Sequence, residues 1–117
     1  MSKDKILIYH NPRCGKSRAA CALLAERGLP ADLVEYLKTP LGRPELEVLL
    51  GKLGLAPSQL VRKGEADYKT LFAGRKPSEG EILNAMAAHP ILMERPVIVK
   101  GDKAVIGRPP EKLLEIL

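Results

Sequence analysis

Apolar residues recur along this chain with two different spacings. Short apolar runs bounded by Gly or Pro are typical of strands, and apolar residues three and four positions apart are typical of helices. Runs of the first kind predict strands at about residues 5–10, 32–37, 96–100 and 103–106. Much of the chain between the second and third strands has the helical spacing.

A predicted helix separates the first two strands. It runs from about Ser17 to Arg27, and Gly28 follows as a residue that ends a helix in the left-handed conformation. A helix between two strands predicts that the strands are parallel and that the crossover is right-handed. The first part of the chain is therefore predicted to form a βαβ unit.

The middle of the chain, about residues 42–88, is predicted to be helical. Pro44 stands at the first turn of one helix, and Ser78 and Glu81 form a capping box ahead of another. One or two short helices are predicted between them, at about 57–73.

The last part of the chain predicts a hairpin followed by a helix. Gly101-Asp102 is a two-residue turn between the third and fourth strands. The segment from Glu111 is predicted to be an amphipathic helix with Leu113, Leu114 and Leu117 on one side. The order βαβ, helices, ββα is the one expected for an α/β thioredoxin-like (glutaredoxin-like) fold. We therefore expect one domain over residues 1–117, with a four-stranded mixed sheet covered by helices and a helical insert between its halves.

Composition limits the partners and the compartment. The net charge of +5 favours anionic ligands, and three Tyr, one Phe and no Trp leave little for stacking on nucleic-acid bases. No apolar stretch approaches the roughly 18 residues that span a bilayer, and no secretory signal is recognisable. Two cysteines without an export signal are typical of free thiols in a reducing compartment. We expect a cytoplasmic protein with no membrane or nucleic-acid partner.

Cys14 lies where the first predicted strand is followed by the first predicted helix. The first turn of a helix directs unpaired N–H groups and the positive end of the helix dipole towards such a position. Arg13, Lys16 and Arg18 add positive charge nearby. Such surroundings lower a cysteine pKa from about 8.5 to between roughly 3.5 and 7.5, so we expect Cys14 to be a nucleophile at neutral pH.

Cys21 is interpreted differently. It shares the first helix with Ala20, Leu23 and Leu24, which predicts a buried structural thiol. Seven helical residues span about 10.5 Å, whereas the Cα atoms of a disulfide lie within about 7 Å, so a bond from Cys21 to Cys14 would require unwinding. The electrons that regenerate Cys14 are therefore expected from an external thiol.

Other chemistries fit the sequence poorly. One loop cysteine and two distant histidines make no recognisable ligand set, so no metal is expected. The chain has no glycine-rich phosphate-binding segment. A Cys-x5-Arg loop of the low-molecular-weight phosphatase type would need Arg where Ala20 stands.

Four separated segments resemble the signature segments of the glutaredoxin-coupled arsenate reductase family, in the family's order and at close to its spacing. They are His10-Asn11-Pro12-Arg13-Cys14-Gly15-Lys16-Ser17-Arg18, Leu60-Val61-Arg62-Lys63, His89-Pro90-Ile91-Leu92-Met93-Glu94-Arg95-Pro96 and Gly107-Arg108-Pro109. The resemblance implies a cysteine that attacks arsenate, arginines that hold the oxyanion, and reduction completed by glutathione and glutaredoxin, with no bound cofactor. On this sequence the nucleophile would be Cys14, and the arginines would be Arg62, Arg95 and Arg108.

The residues carried over from the resemblance are chemically suited to arsenate. Arsenate is a compact tetrahedral dianion near neutral pH, and a planar guanidinium can bind two of its oxygens at once. Neutralising the dianion matters because a thiolate has to approach it.

Four further residues are expected to support the site: His10, Asn11, Ser17 and Pro96. His10 either adjusts the thiolate, through a bond to the loop that carries Cys14, or only ends the strand. Ser17 is expected to donate a hydrogen bond to the sulfur. A cis peptide bond would fit at Arg95-Pro96, where the third strand opens.

Two other functions stay open at this point. A thiol oxidoreductase on the same fold could act on a substrate other than arsenate. A regulator similar to the Spx proteins, which contact RNA polymerase and sense oxidation, could also have this fold. Those regulators generally carry a Cys-x-x-Cys pair, and Ser17 stands at its second position here.

Overall fold

The computed structural model describes residues 6–117, whose contacts form two compact units. The sheet unit contains the described residues up to Thr39 together with Arg95–Leu117, and the helical unit is Pro40–Glu94. The helical segment predicted at about 42–88 lies within the helical unit. The start of the first predicted strand, at Lys5, lies outside the described residues, and the description of the whole chain as one domain stays a prediction.

Four strands form one sheet in the sheet unit, in the order β2-β1-β3-β4. Strand β1 pairs with β2 in parallel and with β3 in antiparallel orientation, and β3 pairs with β4 in antiparallel orientation. The predicted four-stranded mixed sheet of a thioredoxin-like fold is confirmed. The strands are β1 (Ile6–Tyr9), β2 (Ala31–Val34), β3 (Val97–Lys100) and β4 (Lys103–Ile106).

Helix α1 (Gly15–Glu26) makes the predicted crossover between β1 and β2. It starts two residues before the predicted Ser17, and Gly28 ends it with a φ of +68°, as predicted. Its Ala20 and Leu24 are buried in the core of the unit, together with Ile6, Ile8, Ile98 and Leu113. Because α1 is fixed along its length by this core, its N-terminus has a defined place at the end of β1.

The second strand is shorter than predicted. The expected range was about 32–37, but β2 ends at Val34 because the chain turns there, with the N–H groups of Lys38 and Thr39 donating to the Glu35 carbonyl oxygen. Leu37 lies in this turn and is exposed. An apolar residue in a tight turn looks like a continuation of the strand in the sequence, which explains the error.

The last segment is a 3-10 helix, Pro110–Ile116, rather than the predicted amphipathic helix of α type. A 3-10 helix has about three residues per turn, so residues three apart share a face. Leu113 is fully buried and Ile116 packs against the core, whereas Leu114 and Leu117 are exposed. The prediction that the three leucines share one side was therefore wrong.

The helical unit contains four α-helices and a further 3-10 helix among its residues 40–94. They are α2 (Arg43–Leu53), α3 (Pro57–Leu60), α4 (Ala66–Leu71), α5 (Glu79–Ala88) and the 3-10 helix Pro90–Leu92. The predicted capping box is present, since the Ser78 hydroxyl accepts from the Glu81 N–H at 3.2 Å and the Glu81 carboxylate accepts from the Ser78 N–H at 2.9 Å. Within residues 6–117, no helix is both long and apolar enough to span a bilayer.

Candidate active site

The loop between β1 and α1, residues 10–14, is organised by Asn11. The Asn11 side chain is buried, and its Oδ1 accepts from the Arg13 N–H at 3.0 Å. Its carbonyl oxygen accepts from the Cys14 N–H at 2.9 Å, and its own N–H donates to the Ser17 hydroxyl oxygen at 3.3 Å. An Asn that bonds the backbone two residues ahead makes a tight turn without a regular element. These bonds place Cys14 directly before α1.

Cys14 occupies the N-cap position of α1 with an extended backbone conformation (φ −94°, ψ 123°). Burial raises the pKa of its thiol. The backbone N–H of Ser17 lowers that pKa, followed by the hydrogen bond from the Arg95 side chain, the backbone N–H of Lys16 and the positive charge of Arg95. The net pKa is about 7, below the ordinary value of a cysteine, so the sulfur is partly thiolate at neutral pH.

Arg95 is the guanidinium that acts directly on this sulfur, and part of it has no partner. Its Nε and Nη1 atoms are buried and make no hydrogen bond to the described residues. Buried donors without an acceptor are costly, and a charged donor gains more than a neutral one when an acceptor arrives. Arg95 therefore presents two unsatisfied, charged donors beside an acidified thiol.

Arg108 is hydrogen-bonded to the backbone of Arg95. Its Nη1 donates to the Arg95 carbonyl oxygen at 3.0 Å, and this bond links the segment after β4 to the segment before β3. The Gly107 N–H donates to the Pro96 carbonyl oxygen at 2.8 Å, and both Arg95–Pro96 and Arg108–Pro109 are cis peptide bonds. The cis bond that fitted the third strand is thus present. The sheet unit thus pairs Arg95 with Cys14 and Arg108 with the backbone of Arg95, although these residues lie far apart in the sequence.

Two of the supporting residues, Ser17 and His10, contact different groups from those expected. The Ser17 hydroxyl oxygen accepts from Asn11, and it is the backbone N–H of Ser17 that favours the Cys14 thiolate. His10 is buried at the end of β1, and its Nδ1 lies 3.7 Å from the Sγ of Cys21. Cys21 is partly buried against the core, which agrees with its interpretation as a structural thiol.

Arg62 belongs to the helical unit and is held there by backbone and side-chain contacts. Its N–H donates to the Leu92 carbonyl oxygen at 2.7 Å, and its Nε lies 3.6 Å from a Glu65 carboxylate oxygen and 4.0 Å from one of Glu94. Its Nη1 is buried and makes no hydrogen bond to the described residues. That Arg62 joins Arg95 and Arg108 around an oxyanion stays a prediction.

Sequence analysis missed several contributors to these environments. Neither Glu65, which is partly buried against Arg62, nor Glu94 was singled out from the sequence. The side chains of Arg13, Lys16 and Arg18 are exposed, and the Cys14 pKa is lowered instead by Arg95 and by backbone N–H groups. Backbone donors have no signal in the residue types of a sequence.

Among the described residues, no cluster of three or more His, Cys, Asp or Glu side chains could hold a metal ion.

An acidified thiol at the start of the first helix, beside a partly unsatisfied arginine, places the chain among thiol-dependent proteins of the thioredoxin-like fold. Comparison with known proteins gives the family. Residues 9–116 match the ArsC family, and the chain belongs to it.

Relatives of the chain cover nearly its whole length. The arsenate reductase of Neisseria meningitidis serogroup A is 44% identical over 115 residues, which are 97% of this chain and 98% of the relative. YfgD of Escherichia coli K12, whose function is uncharacterized, is 46% identical over 97% of each chain. The solved structure of an arsenate reductase from Vibrio cholerae is 43% identical, has a TM-score of 0.92, and is matched over 97% of this chain and 98% of that one.

Proposed function

We propose that this protein reduces arsenate to arsenite with the Cys14 thiolate as nucleophile, and that glutathione and glutaredoxin supply the electrons. Membership of the ArsC family and the relatives named arsenate reductases support an oxidoreductase acting on this oxyanion. A free thiol and a supply of glutathione both require a reducing compartment, so the proposal includes the cytoplasm.

The observation that carries the proposal is the pair formed by Cys14 and Arg95. The sulfur has a pKa of about 7, and the guanidinium that helps to lower it keeps two buried donors without a protein acceptor. A tetrahedral oxyanion brings oxygen acceptors for those donors to within reach of the sulfur. The same arginine would thus activate the nucleophile and bind its target, which is the arrangement that in-line attack on an anion requires.

The reaction takes place in two steps. The Cys14 thiolate attacks arsenic, a sulfur–arsenic bond forms, and one arsenate oxygen leaves as water after protonation. The thiolate of glutathione then attacks the Cys14 sulfur, so a disulfide forms while the electron pair of the sulfur–arsenic bond stays on arsenic. Arsenic is reduced from As(V) to As(III) and leaves as arsenite, and two thiols are oxidised to one mixed disulfide. Glutaredoxin reduces this disulfide by thiol exchange.

The second thiol comes from solution because Cys21 is badly placed to supply it. Cys21 lies within α1, seven residues beyond Cys14, and a helix of that length spans about 10.5 Å. Burial also raises the pKa of Cys21, which leaves it protonated at neutral pH. A protonated thiol is a poor nucleophile.

The test is arsenate-dependent NADPH oxidation coupled through glutathione reductase, glutathione and glutaredoxin. We expect turnover with the wild-type protein, none with Cys14→Ser, and retained turnover with Cys21→Ser. Omitting glutathione or glutaredoxin in turn tests each electron donor. Activity of Cys14→Ser equal to wild type would exclude the thiolate mechanism. Loss of activity in Cys21→Ser, with Cys14 still alkylated at the wild-type rate, would assign the second thiol to Cys21.

If wild-type protein shows no arsenate-dependent signal above Cys14→Ser at millimolar arsenate, arsenate is not the substrate. Phosphate and sulfate tested as inhibitors of Cys14 alkylation would then show whether the site still binds a tetrahedral oxyanion.

A further inference from the structure

His10 and Cys21 form a contact that the proposed reaction does not use. The Nδ1 atom of His10 lies 3.7 Å from the Sγ of Cys21, a distance at which sulfur takes part in a hydrogen bond. The ring belongs to the first residue of the loop that carries Cys14, and the thiol lies on the second turn of α1. The contact therefore joins the base of the loop to the helix whose N-terminus holds the reactive sulfur.

The direction of this hydrogen bond follows from the protonation state of each partner. Burial raises the pKa of Cys21, so its sulfur carries a proton at neutral pH. Burial lowers the pKa of His10, while the negative charge of Glu35 raises it and the positive charge of Arg18 lowers it, and the net effect is a decrease. The ring is therefore neutral at neutral pH. An imidazole nitrogen accepts a hydrogen bond better than a thiol sulfur does, so the S–H donates and Nδ1 accepts.

We propose that Cys21 is a positioning residue: its S–H donates to Nδ1 of His10, which fixes the imidazole as the neutral tautomer with its proton on Nε2 and ties the start of the Cys14 loop to α1. A neutral imidazole carries a single N–H, so an accepting Nδ1 leaves that proton on Nε2. This assignment is independent of whether arsenate is the substrate.

The bond completes a set of anchors on the loop that carries Cys14. The His10 N–H donates to the Val34 carbonyl oxygen at 2.8 Å, and the Asn11 N–H donates to the Ser17 hydroxyl at 3.3 Å. Cys21 adds a second attachment to α1, one turn beyond Ser17. The helix then positions both ends of the loop, and Cys14 keeps its place relative to the N–H groups that stabilise its thiolate.

A neutral His10 also assigns the source of the Cys14 acidity. An uncharged ring adds no positive charge beside the sulfur, so the low pKa of Cys14 depends on Arg95 and on the first N–H groups of α1.

The experiment is heteronuclear NMR of the imidazole nitrogens at about pH 8, above the usual histidine pKa, in wild type, Cys21→Ser and Cys21→Ala. We expect His10 in wild type to carry its proton on Nε2 with an unprotonated, accepting Nδ1. Cys21→Ser keeps a donor and should keep this tautomer. Cys21→Ala removes the donor and should give a mixture of both tautomers. His89, the other histidine of the chain, is the internal control and should be unchanged.

Two results would overturn the proposal: a wild-type His10 with its proton on Nδ1, or the same single tautomer in Cys21→Ala as in wild type. Thermal unfolding followed by circular dichroism shows whether each variant is folded. If Cys21→Ala does not fold, the wild-type spectrum alone decides the direction of the bond, and the Cys21→Ser spectrum decides whether a hydroxyl can replace the thiol.

Discussion

The reactivity of Cys14 results from opposing effects at one sulfur atom. Burial disfavours the thiolate, while two backbone N–H groups and one guanidinium favour it and lower the pKa to about 7. The backbone donors belong to the helix, and only proline, which has no N–H, would remove one. Arg95 can be replaced without changing the backbone, so its contribution is the one that mutation measures most directly.

Arg95→Gln should raise the pKa of Cys14, because the variant loses both the charged donor and the positive charge. The midpoint of iodoacetamide alkylation against pH, measured in a Cys21→Ser background so that one thiol reacts, should rise by about one pH unit or more. The alkylation rate at pH 7 should fall accordingly, since less of the sulfur is thiolate. Arg13→Gln is the matched control: Arg13 is exposed, and its removal should leave the midpoint near the wild-type value of about 7. An unchanged midpoint in Arg95→Gln would refute this account.

If Arg62 binds arsenate, as the family resemblance implies, Arg62→Ala should weaken substrate binding without changing thiol activation. Arg62 does not contribute to the lowered pKa of Cys14, and its buried Nη1 has no acceptor among the described residues. A hydrogen bond to a charged group contributes about 1.5–3 kcal/mol, so we expect the KM for arsenate to rise about tenfold or more. The alkylation midpoint of Cys14 should not move. Steady-state kinetics beside the alkylation profile measure both quantities, and an unchanged KM would remove Arg62 from the site.

At the scale of residues, the sequence identified the chemistry but not the contacts. Cys14 was singled out from its place between a strand and a helix, which is a local property of the chain. The assignment of the three arginines came from the family resemblance, and their separations in the sequence carry no distance information. The pairing of His10 with Cys21 was missed because it depends on how α1 packs against the end of β1.

At the scale of elements, the C-terminal 3-10 helix packs into the core of the sheet unit chiefly through the side chain of Leu113. Leu113 is fully buried among residues of β1, β3 and α1, whereas its neighbour Leu114 is 38% exposed. The two leucines are adjacent and chemically identical, so they form a matched pair.

Leu113→Ala should lower the free energy of unfolding by about 2–5 kcal/mol, because it leaves a cavity in the core. Leu114→Ala is the control and should cost less than about 1 kcal/mol, since its side chain is largely in contact with water. Urea denaturation followed by circular dichroism measures both. Equal losses in the two variants would mean that the segment turns both leucines inwards, as an α-helix with a shared apolar face was predicted to do.

The order of elements was predictable because each has a local signal. Gly28 ended α1, the Ser78 capping box started α5, and Gly101-Asp102 connected the hairpin strands, all as predicted. The two errors, the length of β2 and the type of the last helix, concern short segments. In segments this short, a strand and a turn, or an α-helix and a 3-10 helix, have similar apolar spacing, and tertiary packing decides which of them forms.

At the scale of the whole molecule, the net charge of +5 should attract anions to the site. Cys14 alkylation by iodoacetate, an anion, should slow as ionic strength is raised from about 10 mM to about 0.5 M, because salt screens long-range attraction. Iodoacetamide is neutral and of similar size, so its rate should change little under the same conditions. The ratio of the two rates, measured in the Cys21→Ser background, isolates the electrostatic effect. A salt-independent ratio would show that the net charge has no influence at this sulfur.

The chain leaves the sheet unit after Thr39 and re-enters it at Arg95, and Arg95 is the residue whose guanidinium acts on Cys14. Every group that lowers the Cys14 pKa therefore comes from the discontinuous part of the chain that builds the sheet. If residues 40–94 are replaced by those of another family member, the pKa of Cys14 should stay at the value it has in this protein. Chimaeras with different inserted segments could then be compared for substrate preference while the pKa of the nucleophile is the same in all of them.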